Sequence, residues 1–297
     1  MIPSAIEAIN LTKVYKLRGK QKEVKALDGL NLSIKKGQIF GLVGPNGAGK
    51  TTLIDILTTI RSITSGEAYI DGFNIQTETS KAKARISLMI GAGMNYTGLT
   101  GYSNLKFYAK IYKVKNYQKK IEEFARTFEM QDWLDQYVSK YSSGMTVKLA
   151  VIRTLLIDRP ILLLDEPTRG LDVKARALLI NEFKNMDKTI LITSHNMDII
   201  DKLCKRIAFI NNGKIIKVGS KEELRRLFQK RVRIFIGINE NKNQLKNELG
   251  QYDFIKYISN EETGLKIEIV NRIDYNKLFP IFSKYKILNK KSKKEDV

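Results

Sequence analysis

The distribution of apolar and polar residues predicts strands near the start of the chain, followed by alternating helices and strands. Between residues 5 and 45, the segments "AIEAINL", "NLSI" and "QIFGLVG" are apolar or alternating and are broken by glycine and charged residues, which is typical of short strands. From about residue 51, apolar residues recur at helical spacing in "TTLIDILTTI", "NLKFYAKIYKV" and "YQKKIEEFARTF". Two later runs, "PILLLDE" and "KTILITSH", are almost wholly apolar until they end, as expected of strands buried on both faces of a parallel sheet. The alternation predicts an α/β fold with crossover connections.

The end of the chain has a different pattern, which predicts a second and smaller unit. "FINNGKIIKVGS" is expected to form a hairpin that turns at "NNG", and the charged segment "KEELRRLFQK" to form a helix that leads into the next unit. The remaining segments follow the order strand, helix, strand, strand, helix, strand, in "VRIFIGI", "NKNQLKNEL", "FIKYIS", "LKIEIV", "DYNKLFPIFSKY" and "KILN". This is the βαββαβ order of a ferredoxin-like α+β domain. We therefore expect one domain over residues 1–222 and a small C-terminal domain over residues 223–297.

Composition narrows the cellular setting of the chain. It has 297 residues, of which 43% are hydrophobic, so a sizeable core is expected, and its single cysteine, Cys204, excludes a disulfide framework and a cysteine-based zinc site. The sequence shows neither an apolar run of membrane-spanning length nor the pattern of a signal peptide, which predicts a cytoplasmic chain that is not itself embedded in a bilayer. The net charge of +21 suits an anionic partner, either nucleic acid or a membrane surface. That charge is spread along the chain, so an ordinary solvated basic surface explains it equally well.

A glycine-rich segment supplies the first candidate chemistry. "GPNGAGKTT", from Gly44 to Thr52, fits the pattern G-x-x-x-x-G-K-[ST] of a phosphate-binding loop and lies between an apolar segment and a predicted helix. In such a loop the backbone N–H groups surround a triphosphate, Lys50 binds the β- and γ-phosphates, and the Thr51 hydroxyl ligates Mg²⁺. A glycine-rich turn that merely precedes a helix is the alternative. The residues expected to hold the nucleotide here are Gly44, Asn46, Gly47, Gly49, Lys50, Thr51 and Thr52.

Two adjacent carboxylates end the apolar run "ILLLDE". Carboxylates at the carboxyl end of a buried strand are costly unless they face a ligand or a metal. Asp165 suits the Mg²⁺ shell, and Glu166 suits a general base that polarises an attacking water. The alternative is an acidic pair that only caps a helix ahead of "PTRGLD".

Taken in order, these segments resemble the ATP-binding subunits of ABC transporters over about residues 5–222. The likeness rests on "GPNGAGKTT", "YSSGMTVKLAVIRTLLIDRPILLLDEPTRGLD" and "ITSH". It implies a P-loop NTPase fold with a parallel-sheet core, an antiparallel β subdomain and a helical subdomain, with ATP and Mg²⁺ as cofactors. It also implies ATP hydrolysis coupled to transport.

The resemblance further implies a head-to-tail dimer with two sandwiched nucleotides. "YSSGM" occupies the place of the family signature, which closes over the ATP held by the second subunit; Ser142 and Gly144 match its phosphate-contacting positions, and Ser143 replaces a more usual glycine. Asp172 in "RGLD" matches the loop that crosses the dimer interface, and Tyr15 matches the aromatic residue that stacks on adenine. For Tyr15, an ordinary strand aromatic is the alternative.

One departure from the family concerns a glutamine that ligates Mg²⁺ and reports to the membrane subunit. In "RISLMIGAGMNYTGLTGYSNLKFYA" that position falls at about Gly91 or Ala92, neither of which can ligate a metal, and Asn95 is the nearest amide. The resemblance implies that a membrane partner docks on the helical region that follows, at about residues 95–140.

His195 is the only histidine in the chain and ends the apolar run "TILITSH". A lone histidine in this position is by default a core residue, but a parallel strand ending beside "ILLLDE" would bring its imidazole to the same edge of the sheet. By resemblance to the family, His195 contacts the γ-phosphate and holds the attacking water.

The motifs and the small C-terminal domain look most like the ATPase subunits of bacterial drug, bacteriocin and sodium exporters whose channel is a separate polypeptide. This likeness implies integral-membrane permease subunits as partners, a second ATP-binding subunit that forms a homodimer, and a peripheral location at the cytoplasmic face of the cell membrane, with no nucleic acid bound. The alternatives are a soluble ABC ATPase that acts on ribosomes or DNA, and a degenerate cassette that does not hydrolyse ATP.

Overall fold

The computed structural model divides the chain into two compact units, Met1–Lys221 and Glu222–Val297. The residues that the structure describes are 3–16, 23–91, 93–194, 197–223, 232–238, 240–261, 263–269, 278–285 and 289–293.

A mixed, mainly parallel sheet forms the centre of the first unit. Its strands are β3 (Ile39–Val43), β6 (Ile86–Ile90), β7 (Ile161–Asp165), β8 (Thr189–Ser194), β9 (Arg206–Asn211) and β10 (Lys214–Ser220), in the spatial order β10-β9-β3-β8-β7-β6. All neighbours are parallel except β9 and β10. Every residue of β7 and β8 is buried, which confirms the interpretation of these apolar runs as strands covered on both faces. Because the strands are parallel, the carboxyl ends of β3, β7 and β8 meet at one edge.

The predicted hairpin joins β9 and β10 at that sheet's border. Asn212 and Gly213 both have positive φ, 46° and 74°, as a tight hairpin turn requires. The segment "NNG" therefore turns as the sequence predicts.

An antiparallel sheet in the order β2-β1-β4-β5 forms the second layer of this unit. Its strands are β1 (Ser4–Lys16), β2 (Glu23–Lys35), β4 (Ser65–Ile70) and β5 (Phe73–Asn74). Strands β1 and β2 are both longer than the sequence predicted. In β2 the additional residues begin at Glu23, where charged side chains interrupt the apolar pattern of a strand. Ile6, Leu27 and Leu30 of this sheet join one buried core with Leu42 and Leu53.

Helices cover the sheets. They are α1 (Lys50–Leu57), α2 (Thr79–Lys83), α3 (Gly101–Ile111), α4 (Tyr117–Thr127), α5 (Ser143–Ile157), α6 (Val173–Lys184) and α7 (Met197–Leu203). The helices predicted in "TTLIDILTTI", "NLKFYAKIYKV" and "YQKKIEEFARTF" correspond to α1, α3 and α4, although α1 ends at Leu57, before the predicted Ile60. Helix α5 contacts α3, α4 and β6 and is buried over most of its length, which makes it the centre of the helical part.

The second unit is an antiparallel sheet in the order β12-β13-β11-β14. Its elements are β11 (Val232–Gly237), α8 (Lys242–Leu249), β12 (Ile255–Glu261), β13 (Gly264–Ile269), α9 (Phe279–Phe282) and β14 (Asn289–Lys293). Leu245 and Leu249 of α8 pack with Ile234, Ile236 and Ile267 in its core. Of the predicted last strand, residues 286–289, Asn289 is the first residue of β14, which extends to Lys293, and residues 286–288 lie outside the described residues. Most of the predicted linking helix, residues 224–230, also lies outside them.

Within the part of the chain that the structure describes, no helix is both long and apolar enough to cross a membrane.

Candidate functional site

The glycine-rich loop joins the end of β3 to the start of α1, and its glycines are required by close backbone packing. A Cβ at Gly44 would lie 2.2 Å from the Ile210 carbonyl oxygen, and one at Gly49 would lie 2.5 Å from the Ala26 carbonyl oxygen. Gly49 also has a φ of 108°, which side-chain-bearing residues rarely adopt. The loop therefore depends on glycine at both ends of the motif.

Lys50 is the first residue of α1 and is buried, with 7% of its surface exposed. Its Nζ donates hydrogen bonds to the carbonyl oxygens of Gly44 at 2.8 Å and Pro45 at 3.0 Å. These bonds hold the ammonium group inside the curve of the loop. A buried cation beside the amino terminus of a helix is a strong site for an anion.

The loop forms one wall of a cavity of 360 Å³. The cavity is lined by Ala26, Asn46, Gly47, Gly49, Lys50, Thr51, Thr52, Ile90, Gly91, Asp165, Glu166 and Arg169. It thus brings together the predicted phosphate loop and both predicted carboxylates, at the edge where β6 and β7 end. Gly44 is not part of its lining, but its carbonyl oxygen positions the Lys50 ammonium.

Asp165 is held between two threonine hydroxyls. Thr51 Oγ1 donates to Asp165 Oδ2 at 2.8 Å, and Thr193 Oγ1 donates to Asp165 Oδ1. Asp165 and Thr193 are paired across β7 and β8, which fixes their spacing. The carboxylate is therefore oriented from both sides, and it faces the hydroxyl that the motif assigns to the metal.

Glu166 follows Asp165 with a φ of 51°, so the backbone turns sharply as β7 ends. Its backbone N–H donates to the Thr193 carbonyl oxygen at 3.2 Å, and the Ser194 hydroxyl donates to its Oε2 at 3.3 Å. The left-handed conformation is uncommon for a residue with a side chain, and such conformations concentrate at functional sites. The turn places the Glu166 side chain in the cavity wall beside Asp165.

The loop after β6 borders the cavity at one point and contacts α5 at another. Gly91 lines the cavity and its N–H donates to the Asp165 carbonyl oxygen at 3.0 Å, whereas Ala92 lies outside the described residues. Asn95 points to α5 instead: its Nδ2 donates to the Thr146 carbonyl oxygen at 2.9 Å, and Arg153 Nη1 donates to its Oδ1 at 3.2 Å. The nearest amide to the missing glutamine therefore ties this loop to α5.

The signature residues lie apart from the cavity of their own chain. Ser142 is the N-cap of α5, where its hydroxyl accepts a hydrogen bond from the Met145 N–H at 3.2 Å. Ser142 and Ser143 are exposed, and none of Ser142, Ser143 and Gly144 lines the cavity. A Cβ at Gly144 would lie 3.3 Å from the Gly170 carbonyl oxygen, so the signature adjoins the "RGLD" loop within one chain.

Two further predicted residues also lie outside the cavity lining. Asp172 caps α6, where its Oδ1 accepts a hydrogen bond from the Ala175 N–H at 2.8 Å. Tyr15 is half-buried near the end of β1, and its ring centroid lies 5.2 Å from Lys13 Nζ and 5.5 Å from Arg61 Cζ. The proposed contact with adenine thus stays a prediction for Tyr15.

His195 lies outside the described residues. Strand β8 ends one residue earlier, at Ser194, and pairs with β7 in parallel, as the prediction for this histidine requires. Its role stays a prediction.

The sequence pattern missed three residues that the structure places at the site. Thr193 bonds to Asp165, Arg153 bonds to the loop after β6, and Arg169 lines the cavity. Thr193 stands beside Asp165 only once the register of the two parallel strands is known, and neither apolar run gives that register by itself.

Comparison with known proteins agrees with this geometry. The family model described as ABC transporter matches residues 27–169. The chain is 34% identical over 215 residues to the ABC transporter ATP-binding protein NatA of Bacillus subtilis, which covers 70% of this chain and 87% of that protein. The chain belongs to the ABC transporter family. It binds and hydrolyses ATP, and the resemblance seen in the sequence is confirmed.

One further relative and one solved structure are similar to this ABC ATPase. It is 32% identical over 226 residues to the daunorubicin/doxorubicin resistance ATP-binding protein DrrA of Streptomyces peucetius, covering 74% of this chain and 67% of that protein. Its fold matches the ATP-binding cassette MJ0796 in a dimeric post-hydrolysis state bound to ADP and phosphate, with a TM-score of 0.67 and 25% identity. That match covers 72% of this chain and 98% of the cassette. The expected ABC ATPase fold of the first unit is confirmed.

Proposed function

We propose that this chain is the ATP-hydrolysing subunit of an exporter whose channel is formed by separate integral-membrane permease subunits. The observation that carries the proposal is the single cavity into which Lys50, Thr51, Asp165 and Glu166 converge. The names of the relatives support the direction of transport, since DrrA and the linearmycin resistance protein LnrL of Bacillus subtilis are resistance ATP-binding proteins. The chain would act at the cytoplasmic face of the cell membrane, bound there through its permease.

The cavity fits Mg²⁺ together with ATP. Thr51 and Asp165 offer hard oxygen ligands, with Thr51 Oγ1 2.8 Å from Asp165 Oδ2, and they would hold the ion. Among the described residues no cluster of three or more acidic, histidine or cysteine side chains could hold a metal alone. This suits Mg²⁺, which usually takes one or two protein ligands and completes its shell with phosphate oxygens and water. When bound, the ion neutralises charge on the β- and γ-phosphates.

Each predicted site residue then has its own role in ATP hydrolysis. The loop N–H groups and the Lys50 ammonium orient the phosphates, and Glu166 accepts a proton from the attacking water. His195 would contact the γ-phosphate from the end of β8, and Tyr15 would stack on adenine. Thr193 orients Asp165 through its hydroxyl group.

A second copy of the chain would complete each ATP site. Ser142 and Ser143 are exposed at the amino terminus of α5 and lie outside their own cavity, so they are available to the nucleotide of another subunit. Asp172 would lie at the same interface. ATP would favour the closed homodimer and hydrolysis would reopen it, which is the cycle that drives the permease.

The helical part of the first unit is the proposed docking face for the permease. Large apolar side chains are exposed there, on α3, in the loop before it, directly after it and in the segment after α4, which is unusual for a surface without a partner. They are Met94, Tyr96, Leu99, Phe107, Ile111, Tyr112, Trp133 and Tyr137. The second unit is proposed to be a ferredoxin-like accessory domain, supported by its antiparallel order β12-β13-β11-β14 and by helices α8 and α9.

Two experiments test this function. Glu166→Gln should abolish turnover and trap an ATP-bound dimer, which size-exclusion chromatography with and without ATP would detect; a variant that stays monomeric with ATP at micromolar concentration contradicts the sandwich. Purification of the tagged full chain from membranes should recover an integral-membrane partner. Recovery of ribosomes or DNA alone would instead identify the soluble alternative.

A further inference from the structure

An arginine that the motifs do not explain lines the ATP cavity. Arg169 is exposed, yet it contributes to the same wall as Lys50, Asp165 and Glu166. In the part of the chain that the structure describes, its guanidinium group makes no ion pair or side-chain hydrogen bond. The cavity therefore offers a second cation besides Lys50, and no described side chain is paired with it.

The backbone holds Arg169 at a fixed place relative to Glu166. The Arg169 N–H donates to the Glu166 carbonyl oxygen at 3.2 Å, and the Leu171 N–H donates to the Thr168 carbonyl oxygen at 3.2 Å. Pro167 and Thr168 are buried between them. The positive φ of Glu166 turns the chain so that Arg169 returns to the cavity wall.

The chemistry of this position selects an oxyanion. A guanidinium group presents paired N–H donors that match two phosphate oxygens, and it stays charged at any physiological pH. Lys50 already serves the loop side of the cavity, whereas Arg169 stands on the side of Glu166, where water would attack. In the proposed ATP site, the terminal phosphate would lie between these two cations.

We propose that Arg169 is a further catalytic residue of this ATPase, which binds oxygens of the γ-phosphate and stabilises the charge that develops on them during hydrolysis. The inference rests on the proposed function of the cavity. In the step, water attacks the γ-phosphorus and gives a proton to Glu166. The bond from that phosphorus to the β,γ-bridging oxygen breaks, and the products are ADP and inorganic phosphate. Arg169 supplies no atom to this exchange; it supplies positive charge where the transferred group becomes more negative.

Steady-state ATPase kinetics of full-length Arg169→Ala and Arg169→Lys test the inference. Removing one preorganised donor from a developing oxyanion lowers kcat by about 10²–10³, so we expect that loss for Arg169→Ala, with a much smaller change in the ATP dissociation constant. Arg169→Lys keeps the charge without the paired donors, so its kcat should lie between those of Arg169→Ala and the unaltered chain. Arg206→Ala, at an exposed arginine at the start of β9 outside the cavity, removes the same charge and should leave kcat unchanged.

Parallel variants separate this inference from the function on which it rests. If Glu166→Gln is inactive and Arg169→Ala turns over within about twofold of the unaltered chain, the role of Arg169 is overturned while the site assignment stands. Normal turnover by Glu166→Gln would overturn the site assignment itself. If Arg169→Ala loses ATP-driven dimerisation in the Glu166→Gln background, Arg169 acts across the subunit interface, and its assignment to the γ-phosphate of its own chain is wrong.

Discussion

The hydroxyl of Thr51 lies 2.8 Å from Asp165 Oδ2, although 114 residues separate the two along the chain. Thr51 is the second residue of α1, which follows β3, and Asp165 is the last residue of β7. Because β3 and β7 both run parallel to β8, their carboxyl ends bring the two residues to one edge of the sheet. Two oxygen donors at this spacing form a ready ligand pair for a small divalent cation.

Removing the Thr51 hydroxyl should therefore weaken metal-dependent hydrolysis. We expect Thr51→Ala to raise the Mg²⁺ concentration needed for half-maximal turnover by about tenfold or more, because the ion loses one of the two oxygen ligands that the protein offers it. Thr51→Ser keeps the hydroxyl group and should behave like the unaltered chain. Equal Mg²⁺ dependence of the alanine and serine variants would contradict the assignment.

The Thr193 hydroxyl should affect the rate of ATP hydrolysis because it orients Asp165. Thr193→Val keeps the side-chain shape and removes the hydroxyl that donates to Asp165 Oδ1. Because a buried hydrogen bond to a carboxylate is lost, kcat should fall by about tenfold to a hundredfold. Thr193→Ser, measured in the same ATPase assay, should restore most of the activity; a serine variant as slow as the valine variant would point to packing instead.

Arg153 and Asn95 should be coupled in stability. Arg153 is almost fully buried; Nη1 donates to the Gly93 carbonyl oxygen at 3.2 Å and to Asn95 Oδ1 at 3.2 Å, and the group stacks 5.0 Å from the Tyr108 ring centroid. Burial lowers the pKa of its guanidinium group. We expect Arg153→Lys to lower the free energy of unfolding by about 1–3 kcal/mol, since lysine lacks the planar guanidinium group that lies over the Tyr108 ring and bonds to the loop after β6.

A double-mutant cycle in urea measures that coupling. Combining Arg153→Lys with Asn95→Ala should give an interaction energy of about 0.5–3 kcal/mol, as expected for two contacting residues in one network. Arg126→Lys, in an exposed position, serves as the control. Strict additivity of the two substitutions would show that the loop after β6 and α5 are not coupled through these side chains.

The thiol of Cys204 should resist modification at mildly alkaline pH. Cys204 is buried, and burial raises its pKa to about 12, so at pH 8 only about 10⁻⁴ of it would be thiolate, compared with roughly a quarter in an unfolded chain. Labelling with a maleimide at pH 8 should be at least about a hundredfold slower in buffer than in denaturant. Rapid labelling of the folded chain would contradict this burial.

His195→Ala should lose most ATPase activity while keeping ATP binding. The prediction follows from the position after β8, whose last residue, Ser194, donates to Glu166 Oε2. Turnover measured beside equilibrium ATP binding separates the two effects, and near-normal turnover would make His195 an ordinary core residue.

Much of the cavity could be predicted from sequence because it depends on short motifs at the ends of apolar strands. Lys50 lies in the motif after β3, Asp165 is the last residue of β7 and Glu166 follows it, and parallel pairing then determines where they meet. Thr193 and Arg153 escaped prediction because their partners come from distant segments, and an isolated polar residue in an apolar run shows no pattern of its own. The start of β2 was missed because charged residues such as Lys25 and Asp28 interrupt its apolar pattern. Only its pairing with β1 identifies this segment as a strand.

The separation of Ser142–Gly144 from the cavity of the same chain has a kinetic consequence. If each site needs the signature of another copy, the initial rate in dilute solution scales with the square of protein concentration and becomes linear only once dimers dominate. Held side by side on a permease, two copies would have an effective concentration that no longer depends on how much protein the cell contains.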